Sequence, residues 1–152
     1  MGKTLVIVPC GSRKVWDRNL YHGPTRAQDA YVGYPFRVNR RYAERFGDRW
    51  VILSAKYGFV PPGFLLPGPY EVTFARKSSN PVSVGLLREQ VRVLGLDAFA
   101  TVIGLGGRRY REAVEAAFNG QPTALLFPFA GLPLGKAIQA TRRAIENVEH
   151  DA

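Results

Sequence analysis

The sequence is poor in the residues that hold metals and disulfides: one cysteine, Cys10, and two histidines, His22 and His150, in 152 residues. A lone cysteine excludes an internal disulfide and suits a reducing compartment, so a cytoplasmic location is expected. Zinc sites need several nitrogen or sulfur ligands at close spacing. With His150 in the tail no such set exists, so neither a metal nor any other cofactor is expected. Apolar runs are short. None approaches the roughly 18 residues that cross a bilayer, so no membrane partner is expected. Met1-Gly2-Lys3-Thr4 leads into a short apolar run without a small-residue cleavage site, which argues against a signal peptide.

Acidic residues are also scarce. Twelve Asp and Glu stand against 21 Lys and Arg, a formal charge of +9, and arginine dominates. The guanidinium fork suits phosphates and stacks on rings, so nucleic acid or a nucleotide is the expected partner. A basic surface that merely keeps the protein soluble gives the same balance. Charge alone does not separate the two.

Four near-continuous apolar runs read as strands: Leu5-Val6-Ile7-Val8, Trp50-Val51-Ile52-Leu53, Thr101-Val102-Ile103 and Ala124-Leu125-Leu126-Phe127. None alternates with polar residues, so each is expected to be buried on both faces of a parallel sheet. Helices are expected over 35–46, from Pro81 or Ser83 to Gly95, over 108–119, and from Pro133 onward. The alternating order predicts an α/β fold, a three-layer α/β/α sandwich with a mainly parallel four-stranded sheet. No repeat or linker is visible, so residues 1–152 read as one domain. Residues 58–80 carry four prolines (Pro61, Pro62, Pro67, Pro69) and are expected to form an irregular excursion. Its aromatic content predicts an ordered lid or wall of the site.

In such sheets ligands bind where loops leave the strands' carboxyl ends. The four loops here are Cys10-Gly11-Ser12-Arg13-Lys14, Ser54-Ala55-Lys56-Tyr57-Gly58, Gly104-Leu105-Gly106-Gly107-Arg108 and Pro128-Phe129-Ala130-Gly131. Glycine lets backbone N–H groups approach an anion closely, though it also simply makes tight turns. Known phosphate motifs do not fit. Arg109 stands where the third glycine of a dinucleotide fingerprint belongs, and Gly11-Ser12-Arg13-Lys14 is too short for a P-loop, so NAD binding and ATP hydrolysis are not expected.

Cys10 lies near Arg13 and Lys14, which could lower a thiol pKa, but no histidine is placed as its base. Ser12 and Ser54 lack a base likewise and read as hydrogen-bond donors. Most carboxylates fall on polar helix faces or in turns. Asp17, Asp29 and Glu71 do not; they sit in irregular, aromatic-rich surroundings, and of them Asp29 and Glu71 are the candidate acid or base. A cap or an ion pair with arginine is the plainer use of either. Arg37, Arg41 and Arg45 share one helical stripe, at a cost of a few tenths of a kcal/mol per like pair. That stripe suits phosphates or a solvated face.

Pro9-Cys10-Gly11-Ser12-Arg13-Lys14, Asp29-Ala30-Tyr31-Val32-Gly33, Leu53-Ser54-Ala55-Lys56-Tyr57-Gly58, Pro69-Tyr70-Glu71, Gly107-x-x-Tyr110 and Pro128-Phe129-Ala130-Gly131 together resemble a family of uncharacterised bacterial and phage proteins, a domain of unknown function. The resemblance covers nearly the whole chain. Four parallel strands in a three-layer sandwich are also similar to the uracil-DNA-glycosylase-like fold, which implies base excision. The Asp-Pro pair of those enzymes' first-strand motif is absent, so no catalytic residue carries over.

The expectation is a nucleic-acid- or nucleotide-directed enzyme that hydrolyses a base–sugar N-glycosidic bond, like a DNA glycosylase. Glu71 or Asp29 would activate water or stabilise cationic sugar character. Ser12, Arg13, Lys14 and Lys56 would hold phosphate, and Tyr31, Tyr57 or Tyr70 would stack on the base. Cys10, Gly11, Ser54, Gly106, Gly107 and Gly131 complete the expected binding set, with Ser12, Lys56, Glu71 and Gly107 around a single cavity. Two alternatives stay open: a non-catalytic DNA- or RNA-binding protein, and a small-nucleotide-binding protein.

Overall fold

The first apolar run forms strand β1 (Thr4–Pro9), and its side chains enter two separate cores. Val6 and Val8 point into one, Leu5 and Ile7 into the other, as the two-residue period of a strand requires. All four are 0–1 % exposed. Burial of a side chain this size stabilises by about 1.5–3 kcal/mol, which is why this run occupies the middle of the sheet.

The computed structural model describes residues 2–151. After β1 come the short β2 (Thr25–Arg26), α1 (Ala27–Ala30) and α2 (Tyr34–Phe46). Then follow β3 (Arg49–Ser54), β4 (Gly58–Val60), β5 (Leu65–Leu66) and α3 (Val84–Val93). The chain continues through β6 (Thr101–Gly104), α4 (Arg108–Ala117), β7 (Ala124–Leu126) and α5 (Leu134–Asp151). The main sheet runs β4-β3-β1-β6-β7. β1 pairs in parallel with β3 and β6, with Val6 opposite Trp50 and Ile103, and β7 pairs in parallel with β6.

The fold is α/β, with helices on both faces as expected. Phe36, Val38, Tyr42 and Ala43 of α2 and Ile138 and Ile145 of α5 share the core of Val6 and Val8. Leu87 and Val91 of α3 and Val114 and Ala117 of α4 share the core of Leu5 and Ile7. Of the two expected starts for α3, Ser83 is the one used: its hydroxyl accepts from the Leu86 N–H at 3.1 Å, a common helix N-cap.

The sheet has five strands where four were expected. The extra strand is β4, antiparallel to β3 with Ser54 opposite Gly58, and it comes from the start of the excursion. Three residues are too few for a periodic signal, and Gly58 makes the reversal with φ of +76°. The excursion is also pinned further on: Leu66 of β5 pairs with Thr25 of β2, and the Tyr70 ring is buried.

Candidate functional site

The chain leaves β1 in one direction, to β3, and later crosses back to β6 on the opposite side of β1. The loops after β1 and β6 therefore part to opposite faces of the sheet, and a crevice opens between them. A cavity of about 640 Å³ lies there, within the range of roughly 300–1,000 Å³ for small-molecule sites. Its lining includes Pro9 to Arg13 from the β1 loop, Leu105 to Arg108 from the β6 loop, and Phe129 and Gly131 from the β7 loop. One side of α2 (Pro35, Phe36, Asn39) and one side of α5 (Ala137, Ile138, Thr141) close it.

Three helices begin at this cavity. Gly33 caps α2, Gly107 caps α4, and Pro133-Leu134 opens α5. The first N–H groups of a helix have no carbonyl partner within it, so they offer donors and a favourable dipole to an anion. Pro35 removes one such donor from α2. Gly106 keeps the β6 loop tight against the floor: its φ is +109°, and a Cβ there would lie 3.0 Å from the Pro9 ring and 3.2 Å from the Tyr110 Cβ. Arg13, Arg108 and Arg111 supply positive charge, and among the described residues no carboxylate lines the cavity. Arg108 and Arg111 are steadied by Glu112 at 3.3 Å and Glu115 at 3.8 Å. Phe36, Leu105, Phe129 and Ile138 make the walls apolar. The arrangement fits a ligand with an apolar planar body and an anionic end.

Cys10 stands at the junction between this cavity and the β3 side of the rim. Its Sγ is 3.3 Å from the Tyr110 hydroxyl, which also donates to the Cys10 carbonyl at 3.4 Å. On the other side lies a buried hydroxyl cluster. Ser54 Oγ accepts from the Lys56 and Tyr57 N–H groups at 3.2 and 3.1 Å and is 3.0 Å from the Tyr70 hydroxyl. Tyr70 is in turn hydrogen-bonded to Tyr31. Burial above all, with Cys10 nearby, raises the Tyr31, Tyr70 and Tyr110 hydroxyls above the ordinary tyrosine value of 10.0. They remain neutral donors throughout the physiological range. The ammonium groups of Lys14 and Lys56 lie 4.4 and 5.7 Å from the centre of the Tyr70 ring, a cation–π arrangement.

A second concavity, of about 800 Å³, adjoins the first and shares Arg13 with it. Arg13, Lys14, Arg18, Arg37 and Arg40 line it against Asp17 and Asp29. Asp29 lies 3.8 Å from Arg40, which is also 3.3 Å from Glu44. Among the described residues, the side chains of Arg13, Lys14, Arg18 and Arg37 form no salt bridge, while the Lys14 backbone N–H donates to Asp17 at 2.9 Å.

The expected site residues thus fall into three groups. Cys10, Gly11, Ser12, Arg13, Gly106, Gly107 and Gly131 meet around the cavity. Tyr31, Ser54, Tyr70, Lys14, Lys56 and Tyr57 gather on the β3 side, where Lys14 and Tyr31 also line the basic cleft, with Tyr57 packed edge-on against Tyr70. Asp29 sits in the basic cleft, and Glu71 lines neither concavity. Of the four residues expected around a single cavity, Ser12 and Gly107 line it, and Lys56 and Glu71 do not. For Glu71 the reason is local: on this irregular segment Tyr70 is the residue whose ring enters the core, and Glu71 after it is exposed. Asn39, Tyr110, Phe129 and Thr141 line the cavity without having been in the expected set. A signal existed for Tyr110, which stands three residues beyond Gly107 in the first turn of α4.

The model of a family of unknown function (DUF6884) matches residues 5–143. The chain is 38% identical over 145 residues to uncharacterized protein YfjM of Bacillus subtilis (strain 168), which covers 95% of this chain and 96% of that one. It is also similar to the crystal structure of AF0587, a protein of unknown function, at 16% identity and a TM-score of 0.48. That match covers 96% of this chain and 45% of the other.

Proposed function

We propose that this chain, which belongs to the DUF6884 family of unknown function, binds one nucleotide unit, free or within a nucleic acid, in the cavity between the ends of β1 and β6. The observation that carries the reading is the combination of apolar walls with three helix N-termini and arginines at one crevice. A base needs a slot lined by rings and aliphatic groups, and Phe36, Phe129 and Ile138 supply one. A phosphate needs several donors at once, and the glycine-bearing loops after β1, β6 and β7 offer backbone N–H groups beside Arg13. The neighbouring basic cleft suits the flanking phosphates of a longer strand, since Arg13 belongs to both.

The test is a thermal-shift and calorimetric screen with nucleoside monophosphates and short oligonucleotides. A ligand at 100 times its Kd raises stability by about 2.7 kcal/mol. Ala137→Trp, which fills the cavity from α5, abolishes the shift if the ligand sits there. A shift that survives Ala137→Trp places the ligand elsewhere and refutes the reading.

A second reading, hydrolysis of a base–sugar N-glycosidic bond, is favoured by Asp29. It lies in the basic cleft beside Arg13 and Lys14 and is the carboxylate of the expected pair that borders a concavity. Base release from modified or unmodified DNA, or from nucleotides, would be lost in Asp29→Asn with binding retained. Glu71→Gln, outside both concavities, leaves release unchanged. If no base is released across a broad panel, the protein is a binder and not a glycosidase.

A further inference from the structure

Asn39 has a surrounding unlike that of the other polar residues of α2. It stands three residues after Phe36 and three before Tyr42, on the helix's buried side, and is 5% exposed. Phe36 and Tyr42 both belong to the core. Together with Pro35 and Phe36 it forms the wall that α2 gives to the cavity, facing Ala137, Ile138 and Thr141 of α5. Its carboxamide makes no hydrogen bond to any described residue. The neighbouring hydroxyl of Thr141 donates to the Ala137 carbonyl at 2.7 Å and makes no bond to Asn39. Among the described residues the fully enclosed side-chain polar atom left without a partner is Thr123 Oγ1, not an atom of Asn39. The Asn39 amide is therefore open to the cavity and not sealed into protein.

An amide that bonds to no protein group and opens into an apolar-walled cavity is left for water or a ligand to satisfy. Leucine or methionine at that position would pack the same wall without offering a polar edge. The amide presents one acceptor oxygen and two N–H donors on a planar group, and its natural complement is another planar edge with a donor next to an acceptor.

We infer that Asn39 is the specificity-determining residue of the cavity, and that it reads a planar ligand edge carrying a hydrogen-bond donor beside an acceptor, as a nucleobase does. The inference rests on the nucleotide reading and narrows it. The apolar walls hold the ring, the helix N-termini and Arg13 hold the phosphate, and Asn39 selects among rings. A bare sugar phosphate meets the anion-binding elements and gains nothing from Asn39.

The experiment compares wild type, Asn39→Leu and Asn39→Ala for stability without ligand and for binding of the common nucleoside monophosphates and ribose 5-phosphate. Asn39→Leu is expected to be at least as stable as wild type when empty. Its affinity for the preferred nucleotide falls about ten- to a hundredfold, the value of one two-point contact between an amide and a base edge. Ribose 5-phosphate binds both proteins equally. Asn39→Ala shows the same loss of nucleotide affinity should leucine prove too bulky to fold. Unchanged nucleotide affinity in both variants overturns the inference and leaves the nucleotide reading standing. Equal losses for nucleotide and ribose 5-phosphate, with a destabilised empty protein, assign Asn39 a structural role and also overturn it. No binding of any nucleotide to wild type removes the nucleotide reading itself, and this inference falls with it.

Discussion

Replacing Gly58 with alanine tests how the Ser54–Gly58 turn is held. Gly58 begins β4 with φ of +76°, and a Cβ there would lie 2.1 Å from Gln90 Oε1. That oxygen accepts from the Phe59 N–H at 2.8 Å, and Gln90 Nε2 donates to the Tyr57 carbonyl at 2.9 Å. An L-residue in the left-handed region costs about 1–2 kcal/mol. Displacing the Gln90 side chain strands a buried N–H and a carbonyl, at about 1–3 kcal/mol. Gly58→Ala should therefore destabilise by about 2–5 kcal/mol, read from urea or guanidinium midpoints at unchanged slope. A double-mutant cycle separates the two parts. In a Gln90→Ala background only the backbone part remains, about 1–2 kcal/mol. Nucleotide affinity of the folded fraction stays as in wild type, because this turn lies on the β3 side of the rim. A loss below about 1 kcal/mol, or the same loss with and without Gln90, refutes the account.

Alkaline pH probes the buried hydroxyls. The folded Tyr31, Tyr70 and Tyr110 keep their protons above the ordinary value of 10.0, where the unfolded chain loses them. Stability is therefore level below that value and declines above it, by at most about 1.4 kcal/mol per pH unit for each tyrosine; denaturation at a series of pH values checks this, and a level profile through pH of about 11 contradicts it. Cys10 lines the cavity, so saturation with the preferred nucleotide should slow its alkylation by iodoacetamide, followed by mass spectrometry; an unchanged rate places the ligand away from β1. Oligonucleotide affinity should fall with salt by roughly 0.9 log units per decade for each phosphate bound on a duplex, and Arg37→Gln should reduce that slope by about one contact. A slope that Arg37→Gln leaves untouched removes the basic cleft from the binding surface.

The four parallel strands were legible because each reads as an unbroken apolar run. β1 and most of β3 are buried on both faces as expected, whereas β7 is an edge strand whose Leu126 is 52% exposed, contrary to that expectation. β4 was not, since three residues carry no period and its pairing depends on a glutamine from α3. The meeting of Cys10, Gly11, Ser12, Gly106, Gly107 and Gly131 followed from a topological rule: loops after parallel strands share one edge of the sheet. The same rule says nothing about how that edge divides. Here β1 is the divider, with a cavity on its β6 side and the tyrosine cluster on its β3 side, joined through Cys10. Lys56 thus shares the rim with Gly107 without sharing its cavity.

Glu71 and Asn39 show the limit of reading residues by type. A carboxylate among aromatics looks chemical, yet Tyr70 takes the buried place and Glu71 stays exposed. Asn39 looks like one more polar position on an arginine-rich helix. Its spacing carried the information: Phe36, Asn39 and Tyr42 recur at intervals of three, which puts an amide on the stripe that must be buried. A polar residue on an apolar stripe has to find a partner or remain an unmet demand. In α2 the demand is unmet among the described residues, and the space beside it is the cavity. The departure from the apolar pattern, more than any motif, marks where a ligand has to finish what the fold leaves open.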